Sequence, residues 1–167
     1  MPQPTIVFAP LLEPDVRAIA DQLRPGQFAF HNVAPGDVPE AIQDADFLCG
    51  FIGPLDTDVL VSAAANRLKL VQLMSAGYDR FNLEGARAAR LPVSVNGGAN
   101  AIAVAEHAIM LILSTLKHVH ALDSAVHSGQ WRGAASAVGR VYELFGSTVG
   151  IVGMGRIGQE VARRLAI

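Results

Sequence analysis

Short apolar runs and helical stretches alternate along the first hundred positions of the chain. Runs of apolar and β-branched residues predict buried strands at positions 5–9, 28–31, 46–51, 70–74 and 93–96. The segments between them have helical spacing, at positions 14–23, 39–44, 57–66 and 83–89, with Asp56 or Thr57 as the N-cap of the third. This alternation predicts a parallel sheet covered by helices on both faces. Its expected core consists of strand residues: Ile6, Phe8, Phe47, Leu48, Val71, Leu73, Val93 and Val95.

The pattern changes at position 100, where residues 100–128 predict one long helix. This helix is apolar almost all round between positions 101 and 113, which indicates burial between two bodies rather than on a surface. Its later part is more polar and is expected to emerge into solvent. An irregular stretch follows up to position 145, so helix and loop together predict a connector between two domains.

A glycine-rich segment follows the connector. The apolar run at 148–152 predicts a strand, Gly153, Gly155 and Gly158 have the spacing G-x-G-x-x-G, and residues 159–165 have helical character. Strand, triplet and helix in this order indicate the phosphate-binding turn of a dinucleotide-binding domain. The alternative is a glycine-rich turn that holds no ligand.

Each glycine of the triplet meets a different steric demand. Gly153 allows the tight turn out of the strand, Gly155 lets the backbone approach a pyrophosphate, and Gly158 permits close packing of helix on strand. The backbone N–H groups around Arg156 and Ile157 then lie at a helix N-terminus, which favours an anionic phosphate. These five residues are the candidate cofactor-binding set.

Composition limits the remaining possibilities. The 167 residues are 51% hydrophobic and 17% charged with a net charge of −2, which is typical of a globular chain with two-sided burial and argues against nucleic acid as a partner. Cys49 is the single cysteine, so no internal disulfide can form and we expect a packed thiol in the cytoplasm. The N-terminus has no secretory signal, and the apolar run 101–113 is too short to cross a membrane.

Ionisable side chains on the long helix predict structural roles. Glu106 and His107 are adjacent helix positions that point about 100° apart, so they do not readily form an acid–base dyad. His118, His120 and His127 lack the i, i+4 spacing of helical metal ligands and are expected to belong to a solvated helix end. No metal site is predicted.

Three segments together resemble the D-2-hydroxyacid dehydrogenase family, which includes glyoxylate/hydroxypyruvate reductase, D-3-phosphoglycerate dehydrogenase and formate dehydrogenase. They are Met-Ser-Ala-Gly-Tyr-Asp at 74–79 after a strand, Asn-Ala-Ile-Ala-Val-Ala-Glu-His at 100–107 opening the long helix, and the glycine segment at 149–158. They occur in the family's order and spacing. The match extends over essentially the whole chain but only about the first half of a typical member.

The resemblance implies an α/β fold in consecutive parts. Residues 1–99 are expected to form a flavodoxin-like substrate domain, a parallel sheet with helices on both faces. Residues 100–146 are expected to form the interdomain helix and connector. Residues 147–167 are expected to form the first βα unit of a truncated Rossmann domain that binds NAD or NADP.

The resemblance also implies a substrate site. In the family, backbone N–H groups matching Ala76 and Gly77 receive the substrate carboxylate at the domain cleft, and a small-residue turn after a parallel strand can form such an anion nest. As an isolated motif, this turn has no necessary ligand. Asn100 matches an asparagine beside substrate and nicotinamide; it is also a good helix N-cap, and the two roles are compatible.

Family members move a hydride between the nicotinamide and C2 of a 2-hydroxy or 2-oxo acid. Their catalytic arginine, histidine and paired carboxylate lie downstream of the glycine segment, so we expect an amino-terminal fragment that is inactive alone and binds cofactor weakly or not at all. The alternative is a non-catalytic module that binds an anion or complements another polypeptide. Family members are typically homodimers, and the tail after Ser136 is expected to be mobile or docked non-natively and to promote self-association.

Overall fold

The computed structural model describes residues 3–10, 18–19, 22–23, 26–131 and 138–166. They fall into two compact units, Met1–Gly97 and Gly98–Ile167. Most of the helix predicted at 14–23 lies outside the described residues, and the described positions 18–19 and 22–23 are helical.

The first unit contains a five-stranded parallel sheet in the order β2-β1-β3-β4-β5. This order confirms the predicted flavodoxin-like α/β fold. The strands end within a residue or two of their predicted bounds and are β1 Thr5–Ala9, β2 Ala29–Asn32, β3 Phe47–Gly50, β4 Leu70–Leu73 and β5 Val93–Val95.

Helices connect these strands much as the sequence predicts. Helix α1, Val38–Ala41, continues into a 3-10 turn at Ile42–Asp44, whereas α2 occupies Thr57–Asn66 as predicted, with Asp56 at its N-cap position. Helix α3, Leu83–Ala88, is capped by Asn82, whose Oδ1 accepts a hydrogen bond from the Gly85 N–H at 2.8 Å. The cap satisfies one of the donors that every helix N-terminus leaves unpaired.

The core lies on one face of the sheet, and the prediction for β1 chose the wrong face. Val7 and Ala9 are buried in the core, whereas Ile6 and Phe8 are only partly buried. Successive strand residues point to opposite faces, so Phe8 packs its ring against that of Phe30, with centroids 5.7 Å apart. Leu48, Val71 and Leu73 are buried as predicted, Phe47 and Val93 are partly buried, and Val95 is 40% exposed.

The second unit contains α4 Ala101–Leu116, α5 Val119–His127 and α6 Arg156–Leu165. The single helix predicted for 100–128 is therefore wrong: α4 and α5 are bent by 63°. His118 adopts left-handed backbone angles, with φ of 50°, which ends α4. Residues of the connector contact the bend. The Tyr142 N–H donates to the Leu116 carbonyl at 3.0 Å, and His118 Nε2 lies 3.0 Å from the Arg140 carbonyl.

Only one side of α4 is buried, contrary to the predicted burial all round. Ala101 and Ala105 are buried, and α4 packs against α6. Ile102 is 56% exposed and Leu111 is 50% exposed. Across the described ranges, no single helix is long and apolar enough to cross a membrane, and α4 with α5 reaches that length and composition only across the bend.

Residues 148–152, predicted as a strand, pair with no strand among the described residues. Val149 is 38% exposed and Val152 is fully exposed. An apolar segment becomes a strand only when a neighbour completes its hydrogen-bond ladder, and the sheet of the first unit consists of β1 to β5. Ser136, where the predicted mobile tail begins, lies outside the described residues, while α6 is helical and packs on α4.

Asp46 lies at the amino-terminal edge of the sheet and is 3% exposed. Its Oδ2 accepts hydrogen bonds from the Thr5 N–H at 2.9 Å and from Arg67 at 2.5 Å, and its Oδ1 accepts one from Lys69 Nζ at 2.9 Å. The Thr5 backbone bond, followed by those from Lys69 and Arg67, lowers the pKa of Asp46 from 3.8 to about 2. The carboxylate therefore joins the starts of β1, β3 and β4 when it is ionised.

We expect hydrogen exchange across residues 149–152 to be close to the unprotected rate, because their amides donate no backbone hydrogen bond to a described residue. Exchange monitored by NMR or mass spectrometry on the monomeric chain measures this. The amides of Leu48 and Val71 in the sheet are the protected reference. Strong protection of Val149 to Val152 in the monomer would contradict the prediction.

We expect the stability that ionised Asp46 contributes, up to about 2 kcal/mol, to be complete above pH 3.8 and to be lost as the pH falls through about 2. The sign follows because the folded-state pKa lies below the unfolded one. Asp46→Asn should lower the free energy of unfolding at neutral pH by about that amount and flatten its acid dependence. Urea unfolding at several pH values measures both.

The matched control for this experiment is Asp44→Asn, which removes an exposed carboxylate two positions away. Its unfolding curve should keep the acid dependence of the original chain. If Asp46→Asn has the same free energy of unfolding as the original chain at neutral pH, the contacts of the Asp46 carboxylate do not stabilise the fold.

Candidate functional site

The turn after β4 contains the predicted substrate-binding residues. The Asn96 N–H donates to the Ser75 carbonyl at 3.0 Å, and the Ser75 hydroxyl donates to the Gly77 carbonyl at 2.6 Å. These bonds turn the chain sharply at the carboxyl end of a parallel strand, where open α/β sheets bind ligands.

Two backbone donors of this turn remain open. Ala76 and Gly77 are exposed, and within the described ranges neither N–H donates a hydrogen bond. Adjacent unpaired N–H groups in a turn form a concavity suited to an anion. The geometry is therefore compatible with the predicted carboxylate site. A turn with a purely structural role would instead satisfy its own N–H donors.

A cleft of about 530 Å³ lies beside this turn. Its floor includes Leu73 and Phe81, which are 2% and 6% exposed. The charged groups among its lining residues are Asp79 and Arg80, both within three positions of Gly77. The opposite wall is apolar and comes from the loop after β3.

That wall depends on Gly50, which the sequence reasoning did not single out. Gly50 has φ of +149°, and a Cβ there would lie 1.7 Å from the Ala9 carbonyl oxygen. The same carbonyl accepts a hydrogen bond from the Phe51 N–H at 2.9 Å. The sequence did contain a signal for Gly50, because a glycine at the end of a buried strand often marks a close approach of another backbone segment. Such an approach leaves no room for the Cβ of any other residue.

The glycine triplet of the second unit has the geometry that its spacing predicts. Gly153 has φ of +95°, a conformation that glycine adopts without strain. A Cβ on Gly158 would lie 2.1 Å from the Gly153 carbonyl oxygen, whereas nothing lies within 4 Å of the position of a Gly155 Cβ. Gly153 therefore makes the turn, Gly155 leaves space for a close approach, and Gly158 allows close packing, as predicted.

Helix α6 begins at Arg156 directly after this turn, so Arg156 and Ile157 lie in its first turn. Gly155 is the N-cap residue and supplies no side-chain cap. The first N–H groups of a helix have no intrahelical acceptor, and the helix dipole places partial positive charge there. The amino end of α6 therefore places partial positive charge at the glycine with free space in front of it.

Within the second unit, Arg156 also reaches the loop that leads to Asn100. A Cβ on Gly98, which has φ of +86°, would lie within 3 Å of the Arg156 side chain. Asn100 occupies the N-cap position of α4, but its side chain makes no capping hydrogen bond and is exposed. Asn100 thus lies at the predicted N-cap position, but its side chain forms no cap with a described residue. Ala76 and Gly77 belong to the first unit.

Two further ionisable candidates, Glu106 and His127, have structural partners. Glu106 of α4 forms an ion pair with Arg164 of α6 at 3.2 Å and not with the exposed His107. His127 Nδ1 lies 3.0 Å from the Asp123 carbonyl on the surface of α5. In the described part of the chain, no group of three or more His, Cys, Asp or Glu residues could hold a metal ion.

Cys49 lies in β3, next to the glycine that ends this strand. Burial raises the pKa of its thiol. A raised pKa lowers the thiolate fraction at neutral pH, and the thiolate is the nucleophilic form. This result agrees with the predicted packing role.

Comparison with known proteins identifies the family of this chain. The glyoxylate reductase of Pyrococcus furiosus is 37% identical over 132 residues, which cover 75% of this chain and 38% of that protein. The D-3-phosphoglycerate dehydrogenase of Mycobacterium tuberculosis is 34% identical over 174 aligned positions, which cover 99% of this chain and 30% of that protein.

A solved structure agrees with these relatives. The NAD-dependent formate dehydrogenase of Staphylococcus aureus, in complex with NAD, matches 97% of this chain with a TM-score of 0.74 and 26% identity, and the chain covers 53% of it. The chain thus spans between about a third and a half of the relatives it matches. The family model of the D-isomer specific 2-hydroxyacid dehydrogenase catalytic domain matches residues 5–165. The chain therefore belongs to the D-isomer specific 2-hydroxyacid dehydrogenases, a family of NAD-dependent oxidoreductases that act on 2-hydroxy and 2-oxo acids.

Proposed function

We propose that this chain supplies the carboxylate-binding turn and the pyrophosphate cradle of an NAD(P)-dependent oxidoreductase. The reaction is hydride transfer between the nicotinamide and C2 of a 2-hydroxy or 2-oxo acid. The observation that carries the proposal is the glycine triplet, in which Gly155 faces open space while Gly158 is packed against the Gly153 carbonyl. Bound cofactor would supply or accept the hydride.

In the first unit, Ala76 and Gly77 hold the substrate carboxylate in this proposal. Their exposed N–H groups have no acceptor among the described residues, so a carboxylate gains charge-assisted hydrogen bonds without breaking existing ones. Fixing the carboxylate orients C2 for reaction.

In the second unit, the backbone of Gly153, Gly155, Arg156, Ile157 and Gly158 cradles the pyrophosphate. The support is the helix start at Arg156 and the free space at Gly155. We assign Asn100 to substrate or nicotinamide binding because its amide is exposed and makes no cap. The choice between NAD and NADP depends on a ribose contact about 20 residues beyond the turn.

We propose that these residues do not catalyse turnover by themselves. General acid–base catalysis requires a titratable group within reach of the reacting oxygen. Within the described ranges, the only ion pair that contains a histidine joins His127 to Asp123 at 3.5 Å, and both side chains are largely exposed on one helix. No catalytic arginine, histidine or paired carboxylate is assigned here, and cofactor binding is expected to be weak.

A second function follows from the exposed apolar residues at 148–152. In this alternative, the chain is a non-catalytic module that binds an anion or complements another polypeptide supplying a neighbouring strand. The unpaired segment, with Val152 fully exposed, favours a partner. Copurification of a second chain, or cofactor binding that appears only when one is added, would support it.

We expect the purified chain to show no oxidation of NADH or NADPH above background with glyoxylate, hydroxypyruvate or pyruvate. The loss of nicotinamide absorbance measures this, and the chain-free mixture is the control. If the rate of NADH or NADPH oxidation clearly increases with chain concentration, the proposal that these residues do not catalyse turnover is wrong.

We expect Gly155→Asp to abolish binding of ADP at the amino end of α6 without unfolding the helix. Nothing lies within 4 Å of the new Cβ, and aspartate is a favoured N-cap, so stability should be unchanged or higher by roughly a few tenths of a kcal/mol. The carboxylate would repel the phosphates. NMR titration with millimolar ADP, following the Arg156 and Ile157 amides, measures binding.

Gly155→Asn is the matched control, because it adds almost the same bulk without the charge. It should bind ADP more strongly than Gly155→Asp. If ADP leaves the Arg156 and Ile157 amides of the original chain unmoved, the cradle assignment is wrong.

A further inference from the structure

Helices α4 and α6 of the second unit run in the same direction, with their amino ends side by side. Near these ends the Arg156 side chain contacts Gly98, and the same number of positions further along each segment Arg164 donates to the Glu106 carboxylate at 3.2 Å. Equal spacing at the two contacts indicates a parallel pair, because both helices advance by the same rise per residue. The glycine turn before α6 and the loop before α4 are therefore neighbours.

The loop before α4 depends on the conformation of Gly98. This glycine has φ of +86°, which a residue with a side chain rarely adopts, and its carbonyl accepts a hydrogen bond from the Ala101 N–H at 3.1 Å. The Asn100 carbonyl accepts the next bond of the helix, from the Val104 N–H at 2.9 Å. The backbone that carries the exposed Asn100 amide is thus held between the Gly98 turn and the first turn of α4.

Arg156 connects this turn to the predicted phosphate cradle. The position of a Gly98 Cβ lies within 3 Å of Cδ and Nη1 of Arg156, so both the aliphatic stem and the guanidinium lie against the glycine. Gly98 is half-buried, whereas the residues on either side of it are exposed. The Arg156 backbone meanwhile belongs to the first turn of α6, next to the free space at Gly155. One residue therefore has its backbone in the cradle and its side chain on the loop before α4.

We propose that Arg156 is a positioning residue that couples occupancy of the pyrophosphate cradle to the order of the loop carrying Asn100. This inference rests on the proposed function, to which both the cradle and the role of Asn100 belong. A phosphate bound at the start of α6 restricts the Arg156 backbone, and a restricted backbone limits the rotamers through which the side chain can leave Gly98. The ordering of one segment thereby lowers the entropy cost of using the other.

Hydrogen exchange of the 167-residue chain with and without saturating ADP tests this coupling. The Ala101 amide is the reporter, because it donates to the Gly98 carbonyl. We expect ADP to raise its protection by about threefold or more in the original chain and to shift the NMR signal of the Asn100 side-chain amide. In Arg156→Ala both responses should be lost. Saturation is required because this variant also removes a positive charge next to the phosphates.

Two further variants distinguish positioning from a general effect of the substitution. Arg156→Lys keeps a long stem and the charge, so it should restore most of the response at Ala101 and Asn100. Arg163→Ala is the matched control, since Arg163 is an exposed arginine of the same helix that pairs with Glu160 within α6. It should respond to ADP as the original chain does.

The Ile157 amide separates failure of the coupling from failure of the cradle. If ADP shifts the Ile157 amide but leaves Ala101 and Asn100 unchanged, or changes them equally in Arg156→Ala, Arg156 does not position the loop and the cradle stands. If Arg156→Lys loses the response as completely as Arg156→Ala, the side chain does not act through its stem and charge. If ADP does not move the Ile157 amide of the original chain, the cradle is wrong and the coupling fails with it.

Discussion

The ionised carboxylate of Asp46 binds the Thr5 N–H, Arg67 and Lys69 at the amino-terminal edge of the sheet. Backbone hydrogen bonds at the same place join Asp46 to Thr5 and Lys69 to Asp46. Together they align β1, β3 and β4, so that Ala9, Gly50 and Leu73 lie side by side at the opposite edge. Apart from Pro35, which follows β2, the lining residues of the candidate substrate cleft lie at or after the ends of β3 and β4, because the carboxyl ends of parallel strands share an edge. The Asp46 cluster and the backbone pairing thus hold together the strands whose opposite ends form the cleft.

Close backbone approach is the second constraint, and it acts in both units. Gly50 lies against Ala9, and Gly158 lies against Gly153, each at a distance that excludes a Cβ. In the first unit this contact directs Phe51 into the cleft wall. In the second it places the first turn of α6 behind open space at Gly155. In both candidate sites, therefore, a glycine allows a close approach of two backbone segments that a side chain would prevent.

In the proposed function, the described residues bind and orient. The open N–H groups of Ala76 and Gly77 suit a carboxylate, and the start of α6 beside the free space at Gly155 suits a pyrophosphate. Asp46 and Glu106 have structural partners instead, Asp46 at the sheet edge and Glu106 in Arg164. This division fits a chain that spans about half the length of the solved formate dehydrogenase it matches.

The sequence by itself determined the order of elements, the parallel sheet and the roles of Gly153 and Gly158, because periodicity and glycine spacing are local properties. It also indicated the dehydrogenase family, since the motifs at 74–79 and 100–107 occur in the order and spacing that the family has. It could not decide which face of β1 is buried, because Ile6 and Val7 are equally apolar and only the packing of helices distinguishes them. The tertiary structure also decided the break at His118, whose partners are in the distant connector, and the absence of a strand at 148–152. A strand exists only where a neighbour completes its hydrogen bonds, and that neighbour is not a local property of the segment.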